Sequence, residues 1–198
     1  MKAVQSSSES VRAYCNRLTH VLAATQATDG TANSLDLDSA VRTVVKSLLS
    51  VRKARRKVMV IGNGGSAAIA THFQNDLCNS VGLRALVFYE TSLFSAIAND
   101  HGAHAVFERP IQLFGEEGDM LIALSSSGRS ENILRAVNAA RAKRCQVVTL
   151  SGFSIDNPLR RLGDINFHQA VNHYGMVELA HQVLLHSFAD FASAVKTQ

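Results

Sequence analysis

Apolar residues recur at helical spacing in two segments at the start of the chain. Between about residues 10 and 27 the apolar positions include Leu18 and Val21, and a second helical pattern runs from about 37 to 53. The segment DGTANS between them has the composition of a connection. We therefore predict an N-terminal helical hairpin, whose apolar stripes need a partner surface.

From residue 58 onward short apolar runs alternate with helical patterns. The runs are VMVIG, ALVFY, MLIAL, QVVTL and INFHQ. Strands that are apolar throughout, with no alternation, are typical of a parallel sheet covered on both faces. The pattern predicts an α/β three-layer sandwich with a parallel sheet of about five strands. Residues 1–56 form the predicted helical extension, which packs on the core or on a neighbouring subunit, and residues 57–198 form the main domain.

Length and composition favour one substantial core, because the chain has 198 residues and is 46% hydrophobic. No uninterrupted apolar run reaches about 18 residues, and the first residues lack an apolar signal region, so we expect a cytoplasmic protein without membrane spans. The three cysteines, Cys15, Cys78 and Cys145, form no C-x-x-C pair. We interpret them as reduced thiols without a zinc or redox role.

Much of the formal net charge of +4 comes from one basic run, RKARRK, at residues 52–57. Such a run can contact nucleic acid. Cations in the last turn of a helix also complement its dipole and point into water. Because a strand pattern follows directly, we favour the second explanation and do not expect a nucleic-acid partner.

Two loops carry candidate chemistry, since each follows an apolar strand and precedes a helix. They are GNGGS at residues 62–66 and SSSGRS at residues 125–130. Glycines allow the backbone to approach an anion, serines supply hydroxyl donors, and helix N-termini attract negative charge. Neither loop has the spacing of a dinucleotide or ATP motif. Each alone could be a tight turn or a helix cap, whereas together they favour a phosphate site.

Two helices carry further ionisable residues. His72 and Asp76 are four residues apart on one helix face, which suits metal ligation, proton transfer or a solvated pair. The last helix carries Glu178, His181 and His186 in an apolar context, so these groups need partners. About 12 Å of helix rise separates Glu178 from His186. They converge on one small site only if long side chains lean together or two subunits contribute.

The GNGGS loop, the S-x-SGxS loop and the Ala98-Asn99-Asp100 segment between them resemble the SIS (sugar isomerase) domain family, particularly its phosphoheptose isomerase branch. The resemblance extends from about Leu49 to the C-terminus. It implies that one set of residues holds the phosphate and neighbouring hydroxyls of a sugar phosphate: Asn63, Gly64, Gly65, Ser66, Asn99, Asp100, Ser125, Ser126, Ser127, Ser130 and Glu178.

The branch also has a His and a Glu four residues apart, and a Gln and a His eight residues apart. The matching positions here are His72, Asp76, Glu178 and His186, so two of them depart from the pattern. The resemblance implies that Asp76 is the base and His186 the acid, with His181 in reserve. It also implies a zinc site formed by His72, Asp76, Glu178 and His186, and no nucleotide or redox cofactor.

The reaction implied is conversion of sedoheptulose 7-phosphate to D-glycero-D-manno-heptose 7-phosphate through an enediol. Two alternatives stay open: a non-catalytic SIS-type binding or regulatory protein, such as the type that associates with a replication initiator, and an amino-sugar isomerase or etherase.

The N-terminal hairpin and the last helix have more apolar surface than one small sheet can cover, and packing between copies of the chain would bury it. We therefore predict a homotetramer with sites at its subunit interfaces.

Overall fold

A seven-stranded sheet forms the centre of the protein, in a computed structural model that describes residues 10–195. Its strands are β1 (Gln26–Asp29), β2 (Ser34–Leu35), β3 (Lys57–Ile61), β4 (Arg84–Leu86), β5 (Met120–Ser125), β6 (Gln146–Gly152) and β7 (Ile165–Gln169). The order across the sheet is β2-β1-β7-β6-β5-β3-β4. Strands β3 to β7 are mutually parallel, whereas β1 pairs antiparallel with both β2 and β7.

Seven α-helices surround this sheet in the described part of the chain. They are α1 (Val11–Ala23), α2 (Leu37–Lys53), α3 (Gly65–Asp76), α4 (Thr91–His101), α5 (Glu108–Phe114), α6 (Glu131–Ala142) and α7 (Tyr174–Ala194). A π-helical turn, Leu77–Val81, continues α3. None of these helices is long and apolar enough to cross a bilayer.

The two faces of the sheet are each covered by a separate layer of helices. Val58 and Val60 of β3 belong to a core shared with α2, α3 and α7. Met59 and Ile61 alternate with them and join a second core with α4, α5 and α6. Because successive strand side chains point to opposite faces, covering both faces requires a strand that is apolar throughout. The predicted three-layer α/β class is confirmed.

The strand count differs from the prediction, because two short antiparallel strands extend the five parallel ones. The pattern at 10–27 was expected to be one helix, but α1 ends at Ala23 and Gln26–Asp29 pairs with β7. The connection to α2 is a β-hairpin. Its turn is closed by Asp29, whose carboxylate accepts hydrogen bonds from the backbone N–H groups of Thr31 and Asn33, both at 2.9 Å. A four-residue strand is too short to show a clear alternation.

The β-hairpin of β1 and β2 separates the two N-terminal helices along the chain. Both α1 and α2 pack against α7, and α2 also contacts β1 and β3. The boundary between residues 56 and 57 stays a prediction. Residues 1–9 and 196–198, which the predicted domains include, lie outside the described part.

Candidate active site

The two candidate loops lie side by side at the carboxyl edge of the sheet. β3 and β5 are parallel neighbours, and each leads through its loop into a helix. The helix after β3 covers one face and the helix after β5 covers the other. The loops therefore flank the point where the chain reverses its order in the sheet, the usual binding crevice of an open α/β fold.

The first loop has a backbone path that only glycine fits well. Gly64 has φ +53°, in a region that residues with a Cβ rarely adopt. A Cβ on Gly62 would lie 2.7 Å from the backbone of Ser66. The hydroxyl of Tyr89 accepts a hydrogen bond from the N–H of Gly62 at 2.8 Å and donates to its carbonyl at 2.9 Å. These contacts hold the start of α3 open toward a ligand.

The second loop directs serine hydroxyls into the crevice. Ser125 Oγ accepts from the N–H of Gly128 at 3.1 Å and lies 3.3 Å from Ser130 Oγ. Ser127 Oγ accepts from the N–H of Arg129 at 3.3 Å. Ser126 Oγ is buried and has no hydrogen-bond partner among the described residues. A buried hydroxyl without a partner is costly, and Ser126 is one of the residues that line the crevice.

A reciprocal pair of amides joins the two loops. The Asn63 amide donates to Asn132 at 3.0 Å, and the Asn132 amide donates back at 2.9 Å. Between the loops lies a cavity of about 250 Å³, which we call the phosphate cradle. Its lining consists of Asn63, Gly64, Gly65, Ser66, Ser125, Ser126, Ser127, Ser130, Tyr174 and Glu178.

Glu178 lies inside the cradle, directly over the first turn of α3. A Cβ on Gly65 would fall 2.6 Å from the Cδ of Glu178, so glycine is needed there for the carboxylate to fit. The N-terminus of α3 stabilises a negative charge at this position. The same carboxylate would repel a phosphate bound by the cradle.

A second group of ionisable residues forms at the far end of α3. Asp76 Oδ2 lies 3.5 Å from His72 Nε2 and 3.3 Å from His186 Nδ1, and the two imidazole rings are 5.0 Å apart. One ligand atom from each residue lies within 4.8 Å of the other two. Asp76 Oδ2 is buried and accepts no hydrogen bond in the described part. These three residues, which we call the triad, offer two nitrogens and one oxygen to a metal ion.

The cradle and the triad of one chain are separate. α3 packs beside α7, and both helices start at the cradle and pass the triad. Eleven residues separate Gly65 from Asp76, or about 16 Å of helix, and about 12 Å separates Glu178 from His186. Glu178, which the resemblance assigns to both the substrate-binding set and the zinc set, lies with the cradle of its own chain.

Asn99 and Asp100 lie on α4 and do not line the cradle. Their side chains bond to each other at 2.9 Å and are exposed. No signal in the Ala-Asn-Asp segment could have shown that it lies apart from the cradle within one chain.

His181, the reserve candidate, is fully buried behind the second loop. Its Nε2 lies 3.4 Å from the carbonyl of Ser151. Burial lowers the pKa of His181 to about 4, and neighbouring His168 adds to the shift. Burial also lowers the pKa of His168 to about 4, with a contribution from Arg160. These neutral imidazoles support β6 and do not reach the cradle.

An apolar stripe on α7 is exposed next to the triad. Leu179, Val183 and Phe191 are 39%, 44% and 55% exposed. Their spacing of four and eight residues places them on one face of the helix. His186 follows Val183 by three residues and is on the same side. The triad thus borders a surface suited to helix packing.

Sequence reasoning missed Tyr89, Tyr174 and Asn132. Tyr89 is the last residue of the apolar run ALVFY. A hydroxyl-bearing side chain at the carboxyl end of a predicted strand could have indicated a role beside the first loop. Asn132 follows the serine loop by two residues and could have been read with it. Tyr174 reaches the cradle only because α7 begins beside α3, which the sequence pattern does not predict.

Comparison with known proteins gives consistent results. A family profile described as SIS domain matches residues 13–152. The phosphoheptose isomerase of Yersinia pestis (strain Pestoides F) is 34% identical over 166 residues, covering 80% of this chain and 84% of the relative. The structure of a phosphoheptose isomerase from Neisseria gonorrhoeae superimposes with a TM-score of 0.80 at 26% identity, covering 93% of this chain and 97% of the other. One from Francisella tularensis gives 0.79 at 26% identity, covering 93% and 96%.

Proposed function

Because the chain belongs to the SIS domain family, we propose that it is a phosphosugar isomerase that converts sedoheptulose 7-phosphate to D-glycero-D-manno-heptose 7-phosphate. The family resemblance read from the two loops is thereby confirmed. The Yersinia relative is named as an isomerase, which does not favour the non-catalytic alternative. The observation that carries the proposal is the phosphate cradle, where two helix-opening loops surround one cavity and leave Ser126 Oγ without a partner.

The cradle supplies binding energy away from the reacting carbons. Backbone N–H groups at the start of α3 and the hydroxyls of Ser127 and Ser130 are suited to phosphate oxygens. Glu178 adds an acceptor for a substrate hydroxyl. Such remote binding positions the carbon chain, and correct positioning accounts for a large part of the rate gain in this kind of reaction.

The proton transfer belongs to the triad. Asp76 removes a proton from C1 of the ketose while His186 donates one to the C2 carbonyl oxygen, which gives an enediol. The reverse roles then deliver a proton to C2 and remove one from the C1 hydroxyl, so the numbers of protons balance. His72 lies 3.5 Å from the carboxylate of Asp76 and orients it.

The triad also fits a divalent metal, and we propose zinc. Two imidazoles and a carboxylate are ligands that zinc prefers, and three protein ligands leave a position open. The Asp76 Oδ2 atom lacks a hydrogen bond, as expected for an atom that serves as a ligand. With Oδ2 and His186 Nδ1 on the metal, Asp76 Oδ1 would remain available as the base and His186 Nε2 as the proton donor. When bound, the metal would polarise the oxygens at C1 and C2 of the substrate. Glu178 of a second copy could complete the predicted four-residue set.

Each site is proposed to combine the triad of one chain with the cradle of another. The separation of about 12 to 16 Å along the helices favours a site to which two chains contribute. Packing of a second copy on the exposed α7 stripe would cover Leu179, Val183 and Phe191. A homotetramer, the predicted assembly, provides such contacts. The free cysteines of the described part and the phosphorylated substrate suit the predicted cytoplasmic location.

The test is incubation of the purified protein with sedoheptulose 7-phosphate, with and without added zinc, followed by NMR of the aldose phosphate. We expect turnover that Asp76→Asn reduces by about a hundredfold or more. The matched control is Asp190→Asn, which changes an exposed aspartate of α7 outside the triad and should leave turnover unchanged. Absence of turnover at every zinc level, with the phosphosugar still bound, would overturn the heptose assignment.

A further inference from the structure

A second concavity lies at the opposite edge of the sheet from the phosphate cradle. Its volume is about 250 Å³, and its lining consists of Arg52, Arg55, Arg56, Gly82, Leu83 and Arg84. We call it the arginine cavity. It lies where β3 and β4 begin, whereas the cradle lies beyond the end of β3. A five-residue strand, about 16 Å long, therefore separates the two.

The charges around this cavity are not balanced. Arg56 forms an ion pair with Glu116 at 2.8 Å. Arg52 donates to the carbonyl of Val81 at 2.8 Å, which satisfies one N–H but does not neutralise the charge. Within residues 10–195, no carboxylate forms an ion pair with Arg52, Arg55 or Arg84. Like charges around one hollow repel each other, and an anion between them relieves the repulsion.

Complementing the helix dipole does not explain the whole cluster. Arg52 lies in the last turn of α2, where a cation is favourable. Arg84 begins a strand and has no such reason to be there. Gly82 leaves room in the cavity, because a Cβ added to it would meet nothing within 4 Å. The concavity is thus cationic and open.

The end of α6 provides an internal comparison. Arg55 follows α2 with φ +55°, and Arg144 follows α6 with φ +57°. Both helix ends close in the same way, with N–H bonds from Arg56 to Val51 and from Cys145 to Ala140. Arg144 pairs with Glu117 at 3.0 Å, whereas Arg55 faces the cavity. At equivalent backbone positions in the described part of the chain, the charge of Arg144 is neutralised by a carboxylate, whereas the charge of Arg55 is not.

We propose that the arginine cavity binds the diphosphate group of a small polyanion. The volume exceeds the needs of a single phosphate, and each guanidinium can hold two phosphate oxygens in a bidentate pair. Three unpaired guanidiniums match a group with several negative charges. The diphosphate can be free pyrophosphate or part of a nucleoside diphosphate. This binding is independent of the isomerase reaction, because no residue of the cradle or the triad lines the cavity.

Isothermal titration of the full chain with inorganic pyrophosphate tests the proposal. Arg55→Gln and Arg84→Gln should each weaken binding about tenfold, and rising salt should weaken it further. Arg144→Gln, which alters the matched but neutralised position, should bind within about twofold of the unchanged chain. The double variant Ser127→Ala/Ser130→Ala, which impairs the cradle, should retain the arginine-cavity binding.

The proposal is overturned if Arg55→Gln and Arg84→Gln bind pyrophosphate as tightly as the unchanged chain. It is also overturned if Arg144→Gln loses as much affinity as Arg55→Gln, since net charge alone would then be responsible. Loss of all binding in the serine double variant would show that pyrophosphate occupies only the cradle. Titration with ADP distinguishes the two kinds of ligand. Tighter binding of ADP than of pyrophosphate indicates a nucleoside diphosphate, and equal binding indicates that only the diphosphate group is recognised. Either result supports the proposal.

Discussion

A mixture of two inactive variants should recover activity if each site is shared between chains. One partner is Asp76→Asn, which disables the triad. The other is Ser127→Ala/Ser130→Ala, which disables the cradle; loss of two hydroxyl bonds to a charged phosphate, at about 1.5 to 3 kcal/mol each, lowers activity about a hundredfold or more. Neither variant alone can supply both halves of a site.

The recovery has a defined size. A working site needs an intact triad from one chain and an intact cradle from the next, and each occurs in half of the chains of a random equal mixture. About one quarter of the sites should then be intact. The prediction follows from the geometry, because the cradle and the triad of one chain are separated by about 12 to 16 Å along α3 and α7.

The assay is aldose phosphate formation by the two variants co-expressed with different affinity tags and purified through both. Each variant mixed with itself is the control, and native mass spectrometry, which resolves the mass difference of the tags, verifies that mixed oligomers form. Activity that stays at the sum of the separate variants, in mixed oligomers of verified composition, would refute the shared-site argument. A site within one chain gives no recovery at any mixing ratio.

Three further predictions concern single residues. Burial lowers the pKa of His181 to about 4 from 6.5, so between these values the unfolded chain binds a proton that the folded chain does not; stability is full above the unfolded pKa and falls with decreasing pH. Urea denaturation should show that the free energy of unfolding falls by about 2 kcal/mol because of this residue between about pH 7.5 and pH 5. If a His181→Gln variant shows the same fall, His181 is not its cause. Glu178→Gln removes the carboxylate from the cradle and should tighten inorganic phosphate binding about tenfold in a titration; unchanged affinity would show that the charge does not act on the anion. Asn132→Asp replaces the amide that donates to Asn63 and should raise KM about fivefold with little change in kcat, and a fall confined to kcat would argue against a role in binding.

Most of the fold followed from hydrophobic patterning. The last helix, which the apolar pattern indicates, extends over Tyr174–Ala194; a long apolar period makes such a helix predictable. β3 and β5 were read correctly since strands buried on both faces leave continuous apolar runs. β1 and β2 were missed because only four and two residues form them. Pairing with the edge of β7 stabilises such strands, and that contact is not encoded locally.

The candidate site was predictable in its parts but not in its arrangement. The two loops predict an anion site because glycines and serines directly follow strands, and the structure brings both loops to one cavity. The i, i+4 spacing placed His72 and Asp76 on one helix face, and the structure adds His186 to them. Which residues share a cavity depends on how helices pack across the sheet. Glu178 therefore proved to lie over Gly65 of its own chain, a contact between segments more than a hundred residues apart that no local pattern reports.

Helix α7 carries Glu178 near its start and His186 about 12 Å further along. In an assembly of shared sites, this one rigid rod would contribute to two reaction centres at once. If a substrate tilts α7 or shifts it along its axis at the site that contains Glu178, His186 moves at the other site, because no flexible segment lies between them. Neighbouring centres would then be mechanically linked, and their occupancies would depend on each other through the stiffness of a single element.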